Sequence, residues 1–204
     1  MTDFCLLIFS RNSNNDVLRL TRKLTDYVDE IVVIDSSDNQ IYDELRSAIT
    51  SEAKVFRVFP TGSNDISRPY ASTKIESEYV LNLDCDEDVN GEFIERFRNF
   101  DRESAYLLGW RHMKLGEKAR KLALYRNRDV KWIGHIFESP VVSGKTVDIS
   151  HNLEIIHRAD FEGGYLKEQG RQERYFFLES LQRQSHVCVP LRRASGCHLS
   201  ELQL

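Results

Sequence analysis

Four short apolar runs set the layout of the first ninety residues: Phe4–Ser10 (FCLLIFS), Ile31–Ile34 (IVVI), Val55–Phe59 (VFRVF) and Tyr79–Leu83 (YVLNL). Those in the first, second and fourth places are continuous rather than alternating, as strands buried on both faces of a parallel sheet should be. Between the runs the apolar period is helical. Asn14 or Asn15 can cap a helix whose apolar positions include Val17, Leu18, Leu20, Leu24 and Val28. Further helices are expected over Ile41–Ile49, from Ser67 to Ser77 and from Gly91 to Phe100, with a loop at Pro60–Asp65. Strand–helix alternation with short loops specifies an α/β fold with a mostly parallel sheet flanked by helices. The right-handed crossover rule makes this half Rossmann-like.

Beyond Glu103 the pattern changes. Tyr106–Trp110, Leu122–Tyr125, Val130–Ile136 and Leu153–Ile156 read as strands without long helices between them, so a mixed or antiparallel C-terminal extension of the sheet is expected. A last helix from Gly164 to Gln184 carries Leu166, Phe176, Phe177, Leu178 and Leu181, and Gly170 weakens its middle. The chain of 204 residues is expected to form one domain over residues 1–183, with a first half 1–100 and a second half 101–183, before an irregular tail, 184–204. A net charge of −4 gives no global pull toward nucleic acid. Cys5–Phe9 is too short for a secretory signal, and no stretch approaches the ~18 apolar residues of a membrane span. A cytoplasmic protein is expected, with peripheral association at the inner face of the membrane left open. Cys5, Cys85, Cys188 and Cys197 lack CxxC spacing, so reduced thiols are expected, and His186-x-Cys188 with Cys197-His198 fits no standard zinc spacing.

The fourth apolar run ends in Asp84, Asp86, Glu87 and Asp88, four carboxylates within five residues. Two carboxylates ~4 Å apart repel by roughly 1 kcal/mol in water and about 4 at an intermediate dielectric. Such a cluster belongs at a solvated turn or where a cation neutralises it. Open α/β sheets bind ligands beyond the carboxyl ends of their strands, which favours the second setting. Oxygen ligands suit Mg²⁺, Mn²⁺ or Ca²⁺.

Several segments resemble, in order, the family 2 glycosyltransferases with a GT-A nucleotide-sugar domain, above all the small enzymes related to lipopolysaccharide-core glucosyltransferases. IVVIDSSD (Ile31–Asp38) resembles their second strand and acidic turn, and Asn64–Asp88 their loop, helix and DxD strand. WIGHIFE (Trp132–Glu138) resembles their W-x-G-x-x-H-E element, and EIIH (Glu154–His157) their late strand ending in histidine. The resemblance implies an inverting, metal-dependent transferase that moves a sugar from a nucleoside diphosphate sugar, a UDP-sugar favoured, to a glycan or glycolipid acceptor. It implies Mg²⁺ or Mn²⁺ at Asp84, Asp86 and His157, with Ser10, Asp35, Arg68 and Asp84 on the nucleotide-sugar. A strand-end histidine bonded to backbone is an equal reading of His157, and Asp38 better suits a helix cap. Charge builds on a departing diphosphate, so cationic groups belong against it. Arg68, at a helix start, suits that place, although a solvated arginine reads nearly as well.

Glu138 takes the glutamate position of the family's H-E pair and is the expected base for the acceptor hydroxyl. Phe137 stands where the family has histidine. Glu87 and Asp88 are reserves for the base role. Trp132 suits a sugar platform or the core, and Lys167, Arg171 and Arg174 suit either an anionic ligand or a solvated face. A calcium-binding loop is a rival, with Asp84, Asp86, Asp88 and Glu95 at its ligand spacing, but Val89 stands where that loop needs glycine. A nucleotidyltransferase is another, yet Ser10–Asp16 contains no glycine for a phosphate loop. An inactive relative that binds nucleotide-sugar is the third.

Overall fold

Every residue of the first strand, β1 (Phe4–Ser10), is buried, because strands pair with it on both sides and a core layer covers each face. The computed structural model of the chain describes residues 3–49, 53–59, 67–90, 95, 97, 103–113, 116, 118–133 and 139–158. The chain continues through α1 (Asn14–Leu24), β2 (Glu30–Asp35), α2 (Asn39–Ala48), β3 (Ala53–Arg57), α3 (Ser67–Ser72) and β4 (Tyr79–Asp84). Then come β5 (Glu87–Asp88), β6 (Ala105–His112), β7 (Lys118–Arg126), β8 (Val130–Ile133), β9 (Ser139–Val142), β10 (Thr146–Asp148) and β11 (Glu154–His157).

The main sheet has the order β3-β2-β1-β4-β7-β6-β11-β5, with β10 also paired to β6. From β1 to β3 the chain walks outward in one direction, and it then returns to the far side of β1 as β4. Right-handed crossovers therefore put α1 and α2 on one face and α3 on the other. The side chains agree. Phe4, Leu6 and Ile8 pack with Val17, Leu20 and Leu24 of α1 and Leu45 of α2. Cys5, Leu7 and Phe9 pack with Ala71 of α3 and Ile75 just beyond it. The reversal between β1 and β4 is a topological switch point, where open α/β sheets form their ligand crevice.

The helix expected from Ser67 to Ser77 stops at Ser72. The Thr73 and Lys74 amides form tight three-residue turns to Tyr70 and Ala71. The next amides are captured by Glu30 at the start of β2: Glu76 N and Ser77 N donate to Oε2 at 3.0 and 2.9 Å, and Ser77 Oγ donates at 2.8 Å. Burial raises the Glu30 carboxyl, but the Lys54 ammonium and the Ser77 and Glu76 donors outweigh it and hold it below the usual range. Glu30→Ala is expected to cost about 3 kcal/mol, measured by chemical denaturation, because it orphans buried donors. Its folded pKa is depressed, so its stabilisation is complete above the unfolded value of about 4.3 and fades as pH falls through the folded value. Lys54→Met should cost under about 1 kcal/mol, since that ammonium is partly solvated.

The second half is mixed, as expected: β7 runs antiparallel to β4 and β6, while β11 runs parallel to β6. Gly109 of β6 has no room for a side chain, since a Cβ there would lie 2.8 Å from the Ser150 carbonyl in the turn between β10 and β11. β8 and β9 form a separate antiparallel pair. The strand expected over Val130–Ile136 ends in the described residues at Ile133. The expected Gly91–Phe100 helix is described at Glu95 and Phe97, both helical. Phe97 is buried edge-on against Phe4, Tyr79 and Tyr106. The last helix and the tail lie outside the described residues. Among the described residues no helix is long and apolar enough to cross a membrane.

Candidate functional site at the sheet switch point

The loops after β1 and β2 are stitched together, beginning from the register Ser10↔Asp35. Ser36 N donates to the Ser10 carbonyl at 2.9 Å, and Asn12, in the left-handed region at φ 54°, donates its amide to Ser37 Oγ at 2.7 Å. Asp38 N returns a bond to Asn12 Oδ1 at 3.1 Å. The Asp35 carboxylate is wholly buried and accepts from Ser37 Oγ at 2.7 Å and Ser37 N at 3.2 Å. As folded, Asp35 shapes the crevice rim through Ser37. Asp38 stands at the N-cap position of α2 without a side-chain capping bond. Ser10 Oγ is buried and has no hydrogen-bond partner among the described residues.

On the other side of β1, Phe9 is in register with Asp84, the last residue of β4. The acidic turn that follows is folded back by β5, which pairs with β11 in the register His157↔Glu87. Each carboxylate then meets its own partners. Asp84 Oδ2 lies 3.0 Å from Lys121 Nζ of β7. Glu87 is 1% exposed: Lys121 Nζ donates to Oε2 at 2.5 Å, Asp84 N to the same oxygen at 2.9 Å, and Trp110 Nε1 to Oε1 at 2.9 Å. Asp88 is met by Lys23 at 2.5 Å, Arg19 at 3.2 Å and Arg158 at 3.6 Å. Asp86 Oδ2 lies 3.1 Å from His157 Nε2.

The electrostatics follow these contacts. Burial would raise the Asp84 carboxyl, but Lys121 and Arg68 outweigh it and keep it below the usual range. Burial, reinforced by Asp84, pushes Glu87 up. Hydrogen bonding to Asp86 raises His157. Cys85, between the two aspartates, is pushed up to about 12, first by burial and then by Asp86. Arg68 is the second residue of α3, and its guanidinium stacks 5.3 Å from the Phe9 ring and 4.8 Å from the Trp132 ring. Trp132 thus packs on Arg68 and, at 5.9 Å, on Tyr125.

Ser10, Asp35, Arg68, Asp84, Asp86 and His157 are therefore gathered at one end of the sheet. Glu138, Phe137, Lys167, Arg171 and Arg174 lie outside the described residues. The carboxylates of Glu87 and Asp88 are both met by cations, Lys121 at Glu87 and Arg19, Lys23 and Arg158 at Asp88. The calcium-loop spacing is not realised: a strand precedes the turn, and the three aspartates turn to three different sets of partners.

Among the described residues no three His, Cys, Asp or Glu side chains gather as a metal cage. Asp86 and His157 nevertheless suit a pair of adjacent ligands. Two ligands about 2.1 Å from an octahedral cation are about 3.0 Å apart, close to the 3.1 Å between these atoms. His157 Nδ1 is buried without a hydrogen-bond partner among the described residues. Sequence reading missed Lys121 and Trp110, which fix Glu87, because nothing local ties β6 and β7 to the acidic turn. It also missed Asn82, a buried polar residue in the YVLNL run, whose amide atoms have no hydrogen-bond partner among the described residues. Its polarity within an apolar run was the available signal.

No protein-family model matches the sequence, and no curated protein does. Among solved structures the chain is similar to TarS 1-349 of S. aureus in complex with UDP-GlcNAc, with a TM-score of 0.57 at 17% identity, covering 78% of this chain and 60% of that one. Another structure of TarS 1-349 gives 0.56 at 16% identity, covering 76% and 60%. The 4-diphosphocytidyl-2C-methyl-D-erythritol synthase of Anaerococcus prevotii gives 0.47 at 10% identity, covering 62% and 71%. The chain thus spans about 60% of the length of the TarS fragment. The TarS likeness is one of fold: this chain has a GT-A-like α/β fold, with a mostly parallel sheet and a mixed C-terminal extension.

Proposed function

We propose that this chain is a metal-dependent, inverting glycosyltransferase of family 2 type. It would take a sugar from a nucleoside diphosphate sugar, a UDP-sugar in first place, and pass it to a glycan or glycolipid acceptor on the cytoplasmic side of a membrane. The observation that carries this reading is the meeting of Arg68, Asp84 and the Asp86–His157 pair at the β1/β4 switch point of a GT-A-like sheet. The UDP-GlcNAc bound by TarS, which has a similar fold, supports the donor class.

In this reading the nucleoside lies over the loops that Asp35, Ser37 and Asn12 hold together, with Ser10 on the crevice floor. Arg68 faces the diphosphate, where its charge offsets the charge that builds as the anomeric bond breaks. Asp86 and His157 hold Mg²⁺ or Mn²⁺, which when bound supplies further positive charge to the leaving diphosphate. Glu138 takes the proton of the acceptor hydroxyl as that oxygen attacks the anomeric carbon in line.

Incubating the full chain with UDP-glucose, UDP-GlcNAc and GDP-mannose, and following nucleotide release with and without Mn²⁺, tests the reading. Metal-dependent release from one donor is expected; release from none, together with absent binding, would contradict it. Glu138→Gln should keep donor binding but lower transfer at least about 100-fold. Normal transfer by that variant would remove Glu138 from the base role. Phe137 favours a second reading, a nucleotide-sugar binder that transfers nothing; metal-dependent UDP binding without turnover of any donor would select it.

A further inference from the structure

In sequence the turn after β4 looks like a magnet for cations, but in the fold its charge is already spent. Its four carboxylates contact four full cations, Lys121, Arg19, Lys23 and Arg158, besides His157. Three of those cations lie on Asp88. Lys121 is different, because its ammonium sits between Asp84 and Glu87, inside the turn. β7 pairs antiparallel with β4 as far as Leu81↔Leu124, and further along β7 Lys121 Nζ comes within 3.0 Å of Asp84 Oδ2. Glu87 is fixed from its other side by Trp110 Nε1 and the Asp84 amide, so the clamp is held at both ends.

We propose that Lys121 is the resident cation of this site: it withholds Asp84 and Glu87 from a metal, so that the divalent cation binds as its nucleoside diphosphate complex. The proposal rests on the donor-site reading and assigns the order in which that site fills. Mg²⁺ and Mn²⁺ favour six oxygen-rich ligands and are commonly held by one or two protein groups plus substrate phosphates. With Lys121 holding Asp84 and Glu87, the described residues offer a metal the Asp86–His157 pair. The diphosphate supplies both the missing oxygens and the missing negative charge. Without the lysine, Asp84, Asp86 and Glu87 would form a carboxylate cluster that attracts the metal by itself.

The test is Mn²⁺ titration of the full chain, followed by the electron paramagnetic resonance of free Mn²⁺, with and without UDP. The native chain, Lys121→Gln and Lys121→Arg are compared. The native chain should bind Mn²⁺ alone at least about tenfold more weakly than it does with UDP, and Lys121→Gln should bind Mn²⁺ alone about tenfold more tightly than the native chain. Lys121→Arg, which keeps the charge, should behave like the native chain. Equal Mn²⁺ affinity of the native chain with and without UDP would overturn the proposal, as would a Lys121→Gln variant no tighter than native. If Lys121→Gln does not fold, the native pair of titrations still decides. Absence of UDP binding is seen in the nucleotide arm alone and would overturn the donor-site reading, whereas the Lys121→Gln comparison needs no nucleotide.

Discussion

Replacing Asp86 with alanine is expected to abolish metal-dependent donor binding and to lower sugar transfer at least about 100-fold. Among the described residues, Asp86 is the carboxylate of the acidic turn whose side-chain partner, His157, can itself ligate a metal. Asp84 and Glu87 are committed to Lys121, and Asp88 to three cations. The Asp86 side chain is 39% exposed, so its loss leaves the apolar layers intact. Calorimetry with UDP and Mn²⁺, together with a thermal melt, separates loss of the site from loss of the fold. Transfer at the native rate by a folded Asp86→Ala protein would remove this carboxylate from the chemistry. His157→Ala should weaken metal-dependent binding by about 10–100-fold, since Asp86 keeps part of the site.

Glu87→Ala is expected to have the largest effect on stability, about 3–5 kcal/mol. It removes the acceptor for the Trp110 indole and the Asp84 amide, and it takes one of two counter-charges from a lysine enclosed between strands. Denaturant midpoints should fall by correspondingly more than for Asp88→Ala, whose carboxylate is shared by partly exposed cations. Glu87→Gln keeps an oxygen for one of these donors but loses the charge, and should cost about 1.5–3 kcal/mol. A fully stable Glu87→Gln protein that had lost all transfer would point the other way, to a catalytic acid or base at this position.

The parallel half was legible because its signal is local. β1, β2 and β4 are buried on both faces and read as continuous apolar runs, and α1 repeats its buried Val17, Leu20 and Leu24 at helical spacing. The end of α3 was not legible, since it depends on Glu30 reaching forty-six and forty-seven residues along the chain to capture two amides. β5 was missed for a related reason. Two acidic residues read as a turn, and they become a strand only by pairing with β11, about seventy residues later. That same pairing brings His157 to Asp86, so the candidate residues were nameable from motif order while their partners were not. Lys121 carries no motif. Its place beside Asp84 and Glu87 follows from how β7 is paired within the sheet, which a strand's own composition does not specify.

The most direct measurement is calorimetric titration of UDP into the full chain, first with Mn²⁺ and then with EDTA. Saturable binding that needs Mn²⁺ and disappears with EDTA, and that Asp86→Ala loses, is the expected result. Absence of UDP binding, or binding that EDTA leaves unchanged, would contradict a metal-dependent nucleotide-sugar site at the β1/β4 switch point.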